Sequence, residues 1–102
     1  MSDAPSGPYR IDHGANVPKQ IRAIKATAKK KDRLGTFIDL MKEGLRRLET
    51  DPHGFGDPEF RSKQVDAVTC HALLRPLMLR YVIYEQEHGV VLLSIMLYAD
   101  FD

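Results

Sequence analysis

Leu77-Met78-Leu79-Arg80-Tyr81-Val82-Ile83-Tyr84-Glu85, then Gln86-Glu87-His88-Gly89, then Val90-Val91-Leu92-Leu93-Ser94-Ile95-Met96-Leu97-Tyr98, is the stretch on which the fold turns. Two β-prone apolar runs flank a polar connection of hairpin length, with Gly89 where a positive φ is tolerated. They read as adjacent antiparallel strands. Upstream, Val65–Leu74 mixes β-branched and alternating apolar residues and reads as a third strand. Between Asp51 and Gln64, residues Pro52, Gly54, Gly56 and Pro58 interrupt every periodicity, so this segment reads as a loop.

The first half has a different period. Val17, Ile21, Ile24 and Ala28 fall three or four apart, one stripe of a helix that Asn16 can cap and Pro18 can open. After Lys29-Lys30-Lys31, Asp32 can cap a second helix, whose apolar residues are Leu34, Phe37, Ile38, Met41, Leu45 and Leu48. Gly35 and Gly44 each cost about 1 kcal/mol in a helix interior, so packing must hold that helix. Ahead of both, Tyr9-Arg10-Ile11-Asp12 alternates like a short strand and Gly14 ends it. The expected fold is α+β, with an N-terminal strand and an antiparallel helical hairpin packed on a three- to four-stranded antiparallel meander sheet. It forms one domain over residues 9–98, between a flexible tail at 1–8 and a C-terminal tail at 99–102.

Composition agrees with a single core. The chain has 102 residues, 43% hydrophobic and 28% charged, too short for two domains and too apolar for a disordered chain. Cys70 is the single cysteine, which excludes an internal disulfide and a Cys-x-x-Cys site and suits a reducing cytoplasm. The apolar run Val90–Tyr98 is far shorter than the ~20 residues of a membrane span. The formal charge is +1, but it is unevenly placed. Residues 1–50 hold 11 Lys and Arg against 6 Asp and Glu, and residues 51–102 hold 4 against 8, giving +5 and −4. Within the basic half Lys25, Lys29, Lys30 and Lys31 are candidates for binding an anion or nucleic acid.

The order strand, two helices, three strands resembles the RelE/ParE-like toxin superfamily of bacterial type II toxin–antitoxin pairs. Two segments carry the resemblance. Leu48-Glu49-Thr50-Asp51-Pro52-His53-Gly54-Phe55-Gly56-Asp57-Pro58 is similar to the family's end of the second helix, and Tyr81-Val82-Ile83-Tyr84-Glu85 with Val90-Val91-Leu92-Leu93 is similar to its third and fourth strands. The resemblance implies a cognate antitoxin whose acidic-hydrophobic segment wraps the toxin and adds to a strand edge. It also implies either a ribosome and messenger RNA target or a gyrase-like protein target, with no cofactor, metal or membrane.

Family nucleases of the RelE type use an Arg three residues before the Tyr of the Val-Ile-Tyr stretch, another Arg after the last strand and a Tyr or His near the C-terminus. Here Tyr81 holds the first place, Arg80 lies one residue earlier and so on the opposite strand face, and Ala99-Asp100-Phe101-Asp102 is acidic. Binding of a macromolecular target is therefore the expected action. The alternatives are a ribosome-dependent messenger ribonuclease with a rearranged site of Arg80, Arg75, Lys63 and Tyr98, or a non-toxic binding domain. On the exposed face Arg80, with Tyr84 and either Arg75 or His71, could hold an anion. Cys70 and His71, being strand neighbours, point to opposite faces, so Cys70 reads as a small buried hydrophobe. His13, His53, His71 and His88 lack metal-ligand spacing.

Overall fold

A computed structural model of the chain describes residues 7–101. The segment 1–6 of the expected N-terminal tail and the last residue of the expected C-terminal tail lie outside the described residues. The elements in chain order are β1 (Arg10–His13), α1 (Val17–Lys30), α2 (Leu34–Thr50), α3 (Pro52–Phe55), β2 (Asp57–Ser62), β3 (Ala67–Leu74), β4 (Leu77–Tyr84) and β5 (Gly89–Leu97). The fold is α+β, a five-stranded mixed sheet in the order β1-β5-β4-β3-β2 with helices on one face. Strands β2 to β5 pair antiparallel with their sequence neighbours, and β1 adds parallel to β5, Arg10 opposite Gly89 and His13 opposite Leu92.

Alternation in β3 and β4 positions the core. Val68, Cys70 and Ala72 are buried on one face of β3; Leu77, Leu79, Tyr81 and Ile83 are buried on the same face of β4. Against them lie Val17, Ile24 and Ala28 of α1 and Phe37 and Leu48 of α2. The backbone of α2 approaches closely at Gly44, where a Cβ would meet Leu74 and Leu79 side chains at 3.4 Å. That contact gives the helix-interior glycine a packing reason. Ile38 and Leu45 fall outside the buried line Phe37–Gly44–Leu48 and stay 41% and 40% exposed, so the second-helix stripe is wider than what it buries.

Five expectations require correction. The sheet is five-stranded and mixed rather than a three- to four-stranded antiparallel meander, because β2 joins one edge and β1 adds parallel at the other. The segment read as a loop contains α3 and the edge strand β2. Pro58 lacks an N–H and sits on an edge that does not need one, and a bulge between Pro58 and Phe60 absorbs the irregularity. The strand predicted from Val65 begins at Ala67, with Val65 exposed in the turn. Neither Asn16 nor Asp32 caps a helix with its side chain. Asp32 instead takes φ 56° just past α1, where Asp32 N–H reaches Lys29 O and Arg33 N–H reaches Ala28 O, the paired bonds of a Schellman stop. Finally, the C-terminal residues do not trail away: Phe101 is buried in the core.

Candidate functional site on the open sheet face

Helices cover one face of the sheet, and the residues between the buried positions face outward. In β4 these are Met78, Arg80, Val82 and Tyr84; in β3 they are Thr69, His71 and Leu73. Cross-strand register then assembles a polar row, because Arg80 lies opposite His71, His71 opposite Asp57, and Arg80 opposite Ser94. Glu59, the residue extruded by the β2 bulge, completes it. Its Oε2 accepts from Arg80 Nε at 3.1 Å and lies 3.8 Å from His71 Nδ1, while Asp57 Oδ2 lies 4.0 Å from His71 Nε2. The Glu59 and His71 side chains are 33% and 36% exposed, reachable from solvent yet held by their neighbours.

Apolar side chains border this row. Leu73, Met78 and Met96 are aligned across three strands on one side, Leu73 and Met96 being 55% and 44% exposed. On the other side Thr69, Val82 and Val91 align, with Phe60 beyond Thr69 at the sheet edge, 65% exposed. A carboxylate, an imidazole and a guanidinium thus meet on an open, largely apolar sheet surface. The set can take a proton, return one and neutralise a phosphate.

The structure separates the four residues proposed as a rearranged catalytic set. Arg80 lies mid-sheet in the polar row. Arg75 sits in the β3–β4 turn and Tyr98 just beyond β5, whose N–H reaches Pro76 O at 3.0 Å, so these two occupy one end of the sheet. Lys63 lies in the β2–β3 turn at the other end. Seven strand rises along β3 put roughly 23 Å between those ends, so one phosphate cannot meet all four. Tyr84 is four residues from Arg80 along β4, near the Lys63 end, so His71 is the partner Arg80 meets.

Glu59 is the member of this candidate site that sequence reasoning missed. Its signal was present, since Asp57-Pro58-Glu59-Phe60-Arg61 alternates polar and apolar, but Gly56 and Pro58 made the segment read as a turn. Cys70 is buried on the core face, away from His71, and burial pushes its thiol up from the ordinary range. Among the described residues no group of three or more His, Cys, Asp or Glu is arranged to hold a metal ion. Lys25, Lys29, Lys30 and Lys31 are exposed on α1 and its C-terminal cap, and Lys31 Nζ lies 3.8 Å from Asp100. Among the described residues no helix is long and apolar enough to cross a membrane. Compared with known proteins, the chain matches no family model and no curated sequence.

Proposed function

We propose that the chain is a RelE/ParE-like toxin-fold protein of a type II toxin–antitoxin pair, acting in the cytoplasm, and that it acts on RNA as a ribonuclease. The single observation that carries the nuclease reading over silent target binding is the meeting of Glu59, His71 and Arg80 on the uncovered sheet face. The order of elements and the two segments that resemble the family support the toxin assignment.

The chemistry is transfer of a phosphodiester to its own 2′-hydroxyl. A phosphate approaching Arg80 displaces the Glu59 carboxylate from the guanidinium and leaves it free to accept the 2′-hydroxyl proton. The 2′ oxygen bonds to phosphorus and the bond to the 5′ oxygen breaks, with that oxygen taking a proton from the His71 imidazolium. Arg80 offsets the charge that builds on the phosphoryl oxygens. The products are a 2′,3′-cyclic phosphate and a 5′-hydroxyl. Phe60 and the Val82–Thr69 row supply apolar surface against which an unstacked base can lie.

Inducible expression with and without the neighbouring open reading frame tests the role, with messenger integrity read by primer extension. Wild-type protein is expected to arrest growth and cut messenger, with relief by the neighbour. Glu59→Gln and His71→Gln are expected to slow cleavage about 10²–10⁴-fold each, and Arg80→Ala by about 10²–10³-fold, with unchanged thermal unfolding. Arrest with intact messenger would return the protein to the target-binding reading, for which the exposed Leu73, Met96 and Phe60 are the available surface. The absence of both arrest and cleavage would overturn the toxin assignment.

A further inference from the structure

The outward face of α1 carries Lys19, Arg22, Lys25, Lys29 and Lys30, all exposed, and the helix contains no carboxylate. At the helical angular step these five fall within roughly 140° of arc. Val17, Ile24 and Ala28 are buried on the other side, and Gln20 Oε1 accepts the Ile95 N–H at 3.0 Å. The row is about 16 Å long, and its backing on the sheet holds it in place.

Most arginines elsewhere sit beside a carboxylate. Glu43 holds both Arg46 and Arg47, Asp66 faces Arg61, Glu59 holds Arg80 and Asp12 faces Arg10. Among the described residues no carboxylate lies within ion-pair distance of the five α1 cations. Helix stability does not account for them all. Lys29 and Lys30 suit the negative end of the helix dipole, but Lys19 sits in the first turn, where a cation is disfavoured and an acid is absent.

We infer that the outward face of α1 docks on the phosphodiester backbone of a double-helical nucleic acid. Positive charge without acid selects a polyanion. The absence of any aromatic residue on α1 removes the stacking platform that single-stranded bases use, leaving the backbone as the contact. A lipid surface is disfavoured because the apolar side of the helix is already committed to the core. The row faces away from the sheet face that carries Arg80, so this contact is independent of the nuclease reading and positions the protein rather than reacting.

Fluorescence anisotropy of the full chain with end-labelled RNA and DNA duplexes of about 20 base pairs, titrated with salt, tests this. Binding is expected near 50 mM salt and should weaken with a log–log slope of about −0.9 for each phosphate neutralised, three to five in all. The double variant Lys25→Ala, Lys29→Ala is expected to lower that slope by about two and weaken binding at least tenfold, with helical circular dichroism retained. Lys42→Ala on α2 should match wild type, and the RNA and DNA arms identify which duplex is preferred. No duplex binding at low salt, equal binding by the double variant, or tighter binding to single strands would each overturn the proposal. No cleavage is read, so failure here leaves the ribonuclease proposal standing, and the reverse.

Discussion

The Tyr81 hydroxyl is the most constrained polar group in the core. It is fully buried, donates to Pro52 O at 2.6 Å and lies against the Gly56 backbone. Its ring stacks on Phe55 at 6.0 Å, and the Arg47 guanidinium lies 5.5 Å over Phe55. One side chain thereby ties α3 to the sheet. At Gly56 a Cβ would meet His71 O of β3 and, at 2.7 Å, the Tyr81 oxygen, so only glycine lets this strand entry approach. Tyr81→Phe leaves the Pro52 carbonyl without its donor and should cost about 1–3 kcal/mol. Gly56→Ala, which must displace backbone, should cost at least as much; urea unfolding measures both. Burial also pushes the Tyr81 phenol well above the ordinary tyrosine range. A raised folded value means that its contribution is complete below the ordinary tyrosine value and is lost as pH rises through the folded one. The melting temperature of wild type is expected to fall above about pH 10, more steeply than that of Tyr81→Phe.

At the scale of elements, α2 combines a weak sequence with a strong local clamp. Two glycines lower its intrinsic helicity, and packing at Phe37 and Leu48 offsets them. Near its C-terminus Glu43 accepts from Arg46 at 2.7 and 2.9 Å and from Arg47 at 2.8 Å. Those bonds, Arg46 first, pull the Glu43 carboxyl down to about 2. A depressed folded value places its contribution above the unfolded carboxylate range, with loss as pH falls toward 2. Acid titration followed by NMR should therefore show the last turn of α2 loosening between about pH 4 and pH 2. Glu43→Gln should be insensitive over the same interval, and an identical acid response in both proteins would contradict the clamp. This clamp was legible in part, since Arg46 and Arg47 stand three and four residues after Glu43 on a polar face. The edge strand β2 was not. Its pairing comes from β3, the next strand, and its own residues Pro58 and the bulged Glu59 obscure the strand pattern.

On the scale of the whole molecule, charge and apolar surface are sorted by layer. A row of five cations with no carboxylate beside them among the described residues lies on α1, and the Glu59–His71–Arg80 row lies on the sheet face turned away from the helices. The chain end closes the core, with Phe101 only 7% exposed and Asp100 reaching Lys31 beyond α1. Phe101→Ala should destabilise by about 3 kcal/mol, seen as a lower urea midpoint with little change in slope. An unchanged midpoint would mean that the terminal residues are dispensable. Both termini of the described chain are packed. Tyr9 stacks on His88 at 3.8 Å, and His88 Nε2 donates to Gly7 O at 2.7 Å.

Periodicity by itself determined the class of fold, both main helices and the strands β3, β4 and β5. It also determined the face of β4 that Arg80 occupies, because three- and four-residue spacing and strict alternation are local properties of the chain. Tertiary structure alone decided that Asp57–Ser62 is a strand, that Phe101 belongs to the core and that β1 adds parallel to β5. It also decided that Arg80 meets His71 and Glu59 rather than Arg75, Lys63 or Tyr98. Those outcomes depend on pairing and packing that local periodicity does not carry: register between strands, where one bulged residue reassigns every neighbour, and the closure of the core by the chain end.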